Sequence, residues 1–107
     1  MRKAMVLYKD EPAGMLVQQD DGSFVFNYTH EWMTDPSKPP ISLTFPKSQQ
    51  TFRSDYLFPF FYHLLPEGTN RRIVSRHLRI DQNDDFGLLL HTARFDTIGA
   101  VTIVKTE

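Results

Sequence analysis

The sequence contains no cysteine, which excludes a disulfide framework, a thiolate zinc site and a cysteine nucleophile. It has no apolar run approaching the ~20 residues of a membrane span. Arg2 and Lys3 are followed only by a short apolar stretch that Asp10, Glu11 and Pro12 cut off. No secretory signal is therefore expected, and the cytoplasm is the expected location. Charge of one sign is also missing: Lys+Arg 12 against Asp+Glu 13 leaves a formal net charge of -1. A nucleic-acid coat is normally strongly basic, so direct nucleic-acid binding is not expected.

The signatures of common catalytic sites are absent as well. Neither G-x-x-x-x-G-K-[ST] nor G-x-G-x-x-G occurs, so there is no standard phosphate cradle. There is no G-x-S-x-G nucleophile elbow. Among His30, His63, His77 and His91 no two stand at i, i+4, the spacing of a two-histidine metal site on a helix. Asp81-Gln82-Asn83-Asp84-Asp85 has the acidity of a calcium loop. Phe86, however, stands where that loop needs glycine, and Thr92 where it needs glutamate. Helix capping is the better reading of these carboxylates. No catalytic, cofactor-binding or metal-binding residue is assigned, and a non-enzymatic protein is expected.

What remains is one domain's worth of chain, 107 residues, in which 13% are aromatic and nine are Phe. Met5-Val6-Leu7-Tyr8 and Met15-Leu16-Val17 read as paired strands, with Lys9 to Gly14 as the turn. Asp20-Asp21-Gly22-Ser23 is a hairpin signal, and Phe24, Phe26 and Tyr28 then alternate with Val25 and Asn27. Thr29 to Met33 reads as a single helical turn. Asp35 to Pro40 is a proline-rich loop. Ile41, Leu43 and Phe45 alternate as a further strand, and Lys47 to Arg53 is polar and read as irregular.

The period then changes. Leu57, Phe60, Phe61, Leu64 and Leu65 sit at helical spacing, with Pro59 in the first turn and Pro66-Glu67-Gly68 as the stop. A second helix is predicted over about Asn70 to Leu78. Its apolar stripe is read as Ile73, Val74, His77 and Leu78, with Arg72, Ser75, Arg76 and Arg79 on the other face. Asp84 or Asp85 is predicted to cap a short third helix through Leu90, and Ala100 to Val104 is a closing strand. The fold class is α+β: a single small domain over 1-107, a twisted antiparallel sheet built as a meander of hairpins, with about three short helices. The Phe-rich segment is apolar on nearly all sides where a surface helix shows one stripe, so it is read as core on one side and partner surface on the other.

Several segments are similar to those of a known family. Phe61-Tyr62-His63-Leu64-Leu65-Pro66-Glu67-Gly68 resembles the F-x-x-L-L-P-E-G signature of the N-terminal subdomain of HipA-like toxin kinases. Ile41-Ser42-Leu43-Thr44-Phe45-Pro46 resembles the family's L-S-L-S-L-P strand. Asp84-Asp85-Phe86-Gly87-Leu88-Leu89 resembles its D-x-F-x-L-L helix, and Asp96-Thr97-Ile98-Gly99-Ala100-Val101 its D-x-x-G-A-[VL] stretch. Arg94 departs from the pattern, standing where the family usually has glycine.

In that family the residues that bind ATP and Mg²⁺ follow this subdomain. The resemblance therefore implies a chain that does not itself phosphorylate, needs no cofactor, and works by binding. In the three-gene HipBST arrangement the subdomain is a separate protein, HipS. The implied function is that of an antitoxin that binds and inhibits a HipA-like kinase toxin, HipT, with the DNA-binding HipB as third member of the complex and no membrane involved. The alternative is a non-catalytic N-terminal subdomain, a fragment or structural subunit, of a HipA-like kinase. The expected partner-binding residues are Phe61 and Leu65 as apolar anchors, Pro66, Glu67, Gly68 and Thr69 as the segment facing the kinase cleft, and Arg71 and Arg72 as contacts to acidic groups or phosphate.

Overall fold

The computed structural model describes residues 1–93 and 100–106; Arg94 and the Asp96–Gly99 part of the last motif lie outside them. Five strands form one antiparallel sheet in the order β4-β3-β2-β1-β5. They are β1 (Arg2–Tyr8), β2 (Glu11–Gln18), β3 (Phe24–Tyr28), β4 (Thr51–Ser54) and β5 (Val101–Lys105). The helices are α1 (His30–Thr34), α2 (Pro59–Tyr62), α3 (Gly68–Leu78) and α4 (Asp85–Thr92).

The meander β1-β2-β3 follows the predicted order, but its first turn is tighter than predicted. Lys9 and Asp10 both have positive φ, the conformation of a two-residue hairpin turn whose twist suits the flanking strands. Glu11 to Gly14, read as turn, is therefore already strand. Pro12 is accommodated because the register shifts there, between Val6 and Leu7 on the partner strand. Gly14 is required by packing: a Cβ on it would lie 2.6 Å from the Phe26 ring.

Side chains alternate across the sheet. Ala4, Val6, Leu16, Phe26 and Ile103 point to one face and are fully buried. Every helix contributes to the cluster on that face: Trp32 from α1, Phe61 from α2, Val74 from α3, and Phe86, Leu88 and Leu89 from α4. The opposite face of the sheet is read from the registers. There, the registers place Met5 beside Met15 and Val104, Val17 beside Val25, and Leu7 beside Thr102. Val25 is buried, yet it stands outside the main core cluster.

Two segments differ from their predicted state. Ile41–Phe45 alternates in sequence but folds as consecutive turns. The Thr44 amide donates to Ser42 Oγ, 3.2 Å, and the Phe45 amide to the Ser42 carbonyl, 3.0 Å. These local bonds compete with a strand ladder. Ile41 and Phe45 still turn inward, while Leu43 is 96% exposed. The edge strand lies instead at Thr51–Ser54, within and just beyond the stretch read as irregular. Phe52 pairs with Phe26 there, and the polar neighbours suit an edge open to water.

Candidate functional site

The segment from Leu57 to Arg72 is organised around its aromatic residues. Pro59 occupies the first turn of α2, where its missing N–H costs nothing. After Tyr62 the chain tightens: Leu64 donates to the Phe61 carbonyl, 3.0 Å, and Leu65 to that of Tyr62, 3.1 Å. These i→i+3 bonds, followed by Pro66, end the predicted longer helix early. Phe61 is fully buried, with ring centroids 5.7 Å from Phe26 and 5.6 Å from Phe45. Leu65 is also buried. Trp32 is core, and its indole N–H donates to the Pro39 carbonyl, 2.8 Å.

Beyond Leu65 the chain emerges. Pro66 is half-buried; Glu67, Gly68, Thr69 and Asn70 are exposed. Glu67 is extended and supplies no side-chain cap to α3. Gly68 has φ 56°, the left-handed region that a side chain disfavours. An exposed segment is thus carried on two side chains that the core holds in place.

Helix α3 is rotated relative to the predicted stripe. Its inward positions are Arg71, Val74, Ser75 and Leu78, at i, i+3, i+4 and i+7; Ile73 and His77 face water. The polar inward residues have partners. Ser75 Oγ donates to the Ile80 carbonyl, 2.5 Å. Arg71 donates from Nε, 2.8 Å, and Nη2, 2.6 Å, to the Gln82 carbonyl, and is ion-paired with Asp85. Arg71 therefore fastens α3 to the loop before α4, and its guanidinium is already occupied. Arg72, Arg76 and Arg79 are exposed and have no ion pair among the described residues. Arg72, Tyr62, Gly68 and Asn83 line a concavity of about 500 Å³ beside this segment. Tyr62 and Asn83 did not stand out in the sequence: one lay within an apolar run, the other within an acidic one.

Asp84 is the α4 cap, accepting from the Gly87 amide at 3.1 Å. It also receives the Arg2 guanidinium, 2.7 Å, and that hydrogen bond holds its carboxyl below the ordinary aspartate value. Asp81 accepts from the Asn83 amide, 2.8 Å, so the acidic run is spent on local capping and on pairing Arg2 and Arg71. Among the described residues, no three His, Asp or Glu side chains gather to hold a metal ion. No helix is long and apolar enough to cross a membrane among them.

Comparison with known proteins places these features. A family model described as the HipA N-terminal domain matches residues 4–104. An uncharacterized protein of Haemophilus influenzae is 37% identical over 107 residues, 100% of this chain and 95% of that protein. Two Sinorhizobium fredii proteins, named "Putative kinase Y4mE" and "Putative kinase Y4dM", are 33% and 31% identical, over 88% and 91% of this chain. The matched region is only 22% and 25% of their own lengths. A solved structure titled "N-terminal domain of HipA toxin" superposes with a TM-score of 0.74 at 34% identity, covering 100% of this chain and 94% of that one.

Proposed function

The chain belongs to the HipA N-terminal domain family, and from that premise we propose that it acts as an antitoxin, docking on a HipA-like kinase and inhibiting it. The observation that carries the reading is the segment at residues 66–69, where Glu67 is extended and Gly68 opens α3. Glu67, Gly68 and Thr69 are exposed, half-buried Pro66 stiffens the segment, and buried Phe61 and Leu65 anchor it. A pre-ordered segment loses little entropy on binding, so contact energy is not spent on ordering it. In this reading Pro66, Glu67, Gly68 and Thr69 enter the kinase cleft, and Phe61 and Leu65 hold them from beneath. Arg72 reaches the acidic or phosphate groups of the partner, while Arg71 sets the angle of α3. The whole chain, 1-107, acts as one binding domain. The kinase partner corresponds to HipT, and a DNA-binding HipB would complete a ternary complex.

The Sinorhizobium relatives favour a second reading, a structural N-terminal subunit of a HipA-like kinase, because the matched region there is part of a much longer chain. Titrating the chain into a HipA-like kinase that lacks this domain, while following autophosphorylation, separates the two. Falling activity as the complex forms supports inhibition; unchanged or rising activity supports a structural subunit.

A further inference from the structure

We propose that the face of the sheet opposite the core cluster is a second docking surface, whose occupant is the body of that same kinase, presenting an apolar patch edged with carboxylates. The inference rests on the reading above and adds a contact that the segment at residues 66–69 does not supply.

The solvated face of an antiparallel sheet normally alternates to polar residues. Here half-buried Met5, Leu7, Met15, Val17 and Val104 form a contiguous apolar patch through the β1, β2 and β5 registers, with polar Asn27, Thr51 and Thr102 around it. Met5 and Met15 are direct cross-strand partners at its middle, and methionine adapts its shape to an opposing surface. On this face of the registers the charged residues are Lys3, beside Val17, and Arg53, beside Val25; the carboxylate within the registers, Glu11, pairs with Tyr8 on the other face. The complementary partner is therefore apolar at its centre and acidic at its rim.

Area identifies the occupant. Strands ~4.8 Å apart and about five residues long give a face of roughly 400 Å². That is about half of the ~800 Å² per partner in a stable complex. A second copy stacked face to face would bury only this area and would offer no carboxylate to Lys3 and Arg53. A larger protein that also reaches the segment at residues 66–69 can bury the rest. In the Sinorhizobium relatives the matched region is 22% and 25% of the protein, so there a neighbour of that size is part of the same chain.

The test is calorimetric titration of the full chain into a HipA-like kinase that lacks this domain, with wild type, Met15→Glu, Thr102→Glu and Arg72→Glu. Met15 and Thr102 lie outside the core cluster, and thermal unfolding reports whether each variant keeps its fold. The proposal expects Kd to weaken at least tenfold for both sheet-face variants with the melting transition retained. Should one variant fail to fold, the other carries the test. If wild type and both sheet-face variants bind within twofold of one another while Arg72→Glu weakens binding, the sheet face is overturned and the functional reading stands. If wild type does not bind, both are overturned. A concentration-dependent dimer of the chain alone, abolished by Met15→Glu in sedimentation, would make a second copy the occupant and overturn the kinase.

Discussion

Arg71 and Asp85 form an ion pair that joins the first turn of α3 to the first turn of α4. Arg72, one residue on, is exposed and has no such partner among the described residues. Adjacent arginines thus divide between holding the fold and remaining available to a partner. Arg71→Ala is expected to lower stability by about 1–2 kcal/mol, since it leaves the Gln82 carbonyl and Asp85 without their donor. Arg72→Ala is expected to stay within ~0.5 kcal/mol of wild type while weakening kinase binding. Urea midpoints and titration of each variant check the split.

The Tyr28 hydroxyl donates to the Phe45 carbonyl and accepts from the Ile41 amide at 3.1 Å. It pins both ends of the Ile41–Phe45 turn onto the core. Tyr28→Phe is expected to cost about 1–3 kcal/mol, because both buried backbone groups lose their partner. Burial raises the hydroxyl's pKa above its ordinary 10.0. The folded state therefore holds its proton to higher pH than the unfolded chain, and this stabilisation is full below the unfolded value and lost as pH rises through the folded one. The stability gap between wild type and Tyr28→Phe should accordingly narrow above pH 10.0.

Asp84 gives the opposite dependence. Its hydrogen bond from Arg2 lowers the folded pKa below 3.8, so the stabilisation is present above that pH and lost as pH falls through the folded value. Asp84→Asn keeps a capping side chain but removes the charge. With the pair partly exposed, the expected cost at neutral pH is ~0.5–1 kcal/mol. Denaturant titrations of both proteins should converge as pH drops below 3.8; a constant gap would contradict the assignment.

Gly68 tests the segment directly. A Cβ there meets nothing within 4 Å, so only its φ of 56° opposes substitution. Gly68→Ala is expected to cost about 1–2 kcal/mol from left-handed strain alone, and Gly68→Asn less. If the segment docks in the kinase cleft, Gly68→Ala should also weaken binding by more than Arg76→Ala does.

How legible these features were depended on whether one interaction dominated. Phe24, Phe26 and Tyr28 alternate toward a buried face, and Asp84 precedes an apolar run, so β3 and α4 were readable. Ile41, Leu43 and Phe45 alternate equally well, but Ser42 diverts the local backbone bonds into turns. β4 was hidden because a single apolar residue, Phe52, identifies its inner face. On α3 hydrophobicity pointed to Ile73 and His77, whereas Arg71 and Ser75 are the inward residues because each finds an acceptor. The motif at Phe61–Gly68 was visible as a motif. That its first and fifth residues are buried and its last three emerge required the packing of Phe26 and Phe45 beneath it.

The most direct test of the central claim is kinase autophosphorylation measured as this chain is titrated to excess. The account predicts a stable complex and activity falling to a plateau at saturation, with Gly68→Ala shifting the curve to higher concentration. A stable complex with undiminished activity at saturation would contradict it.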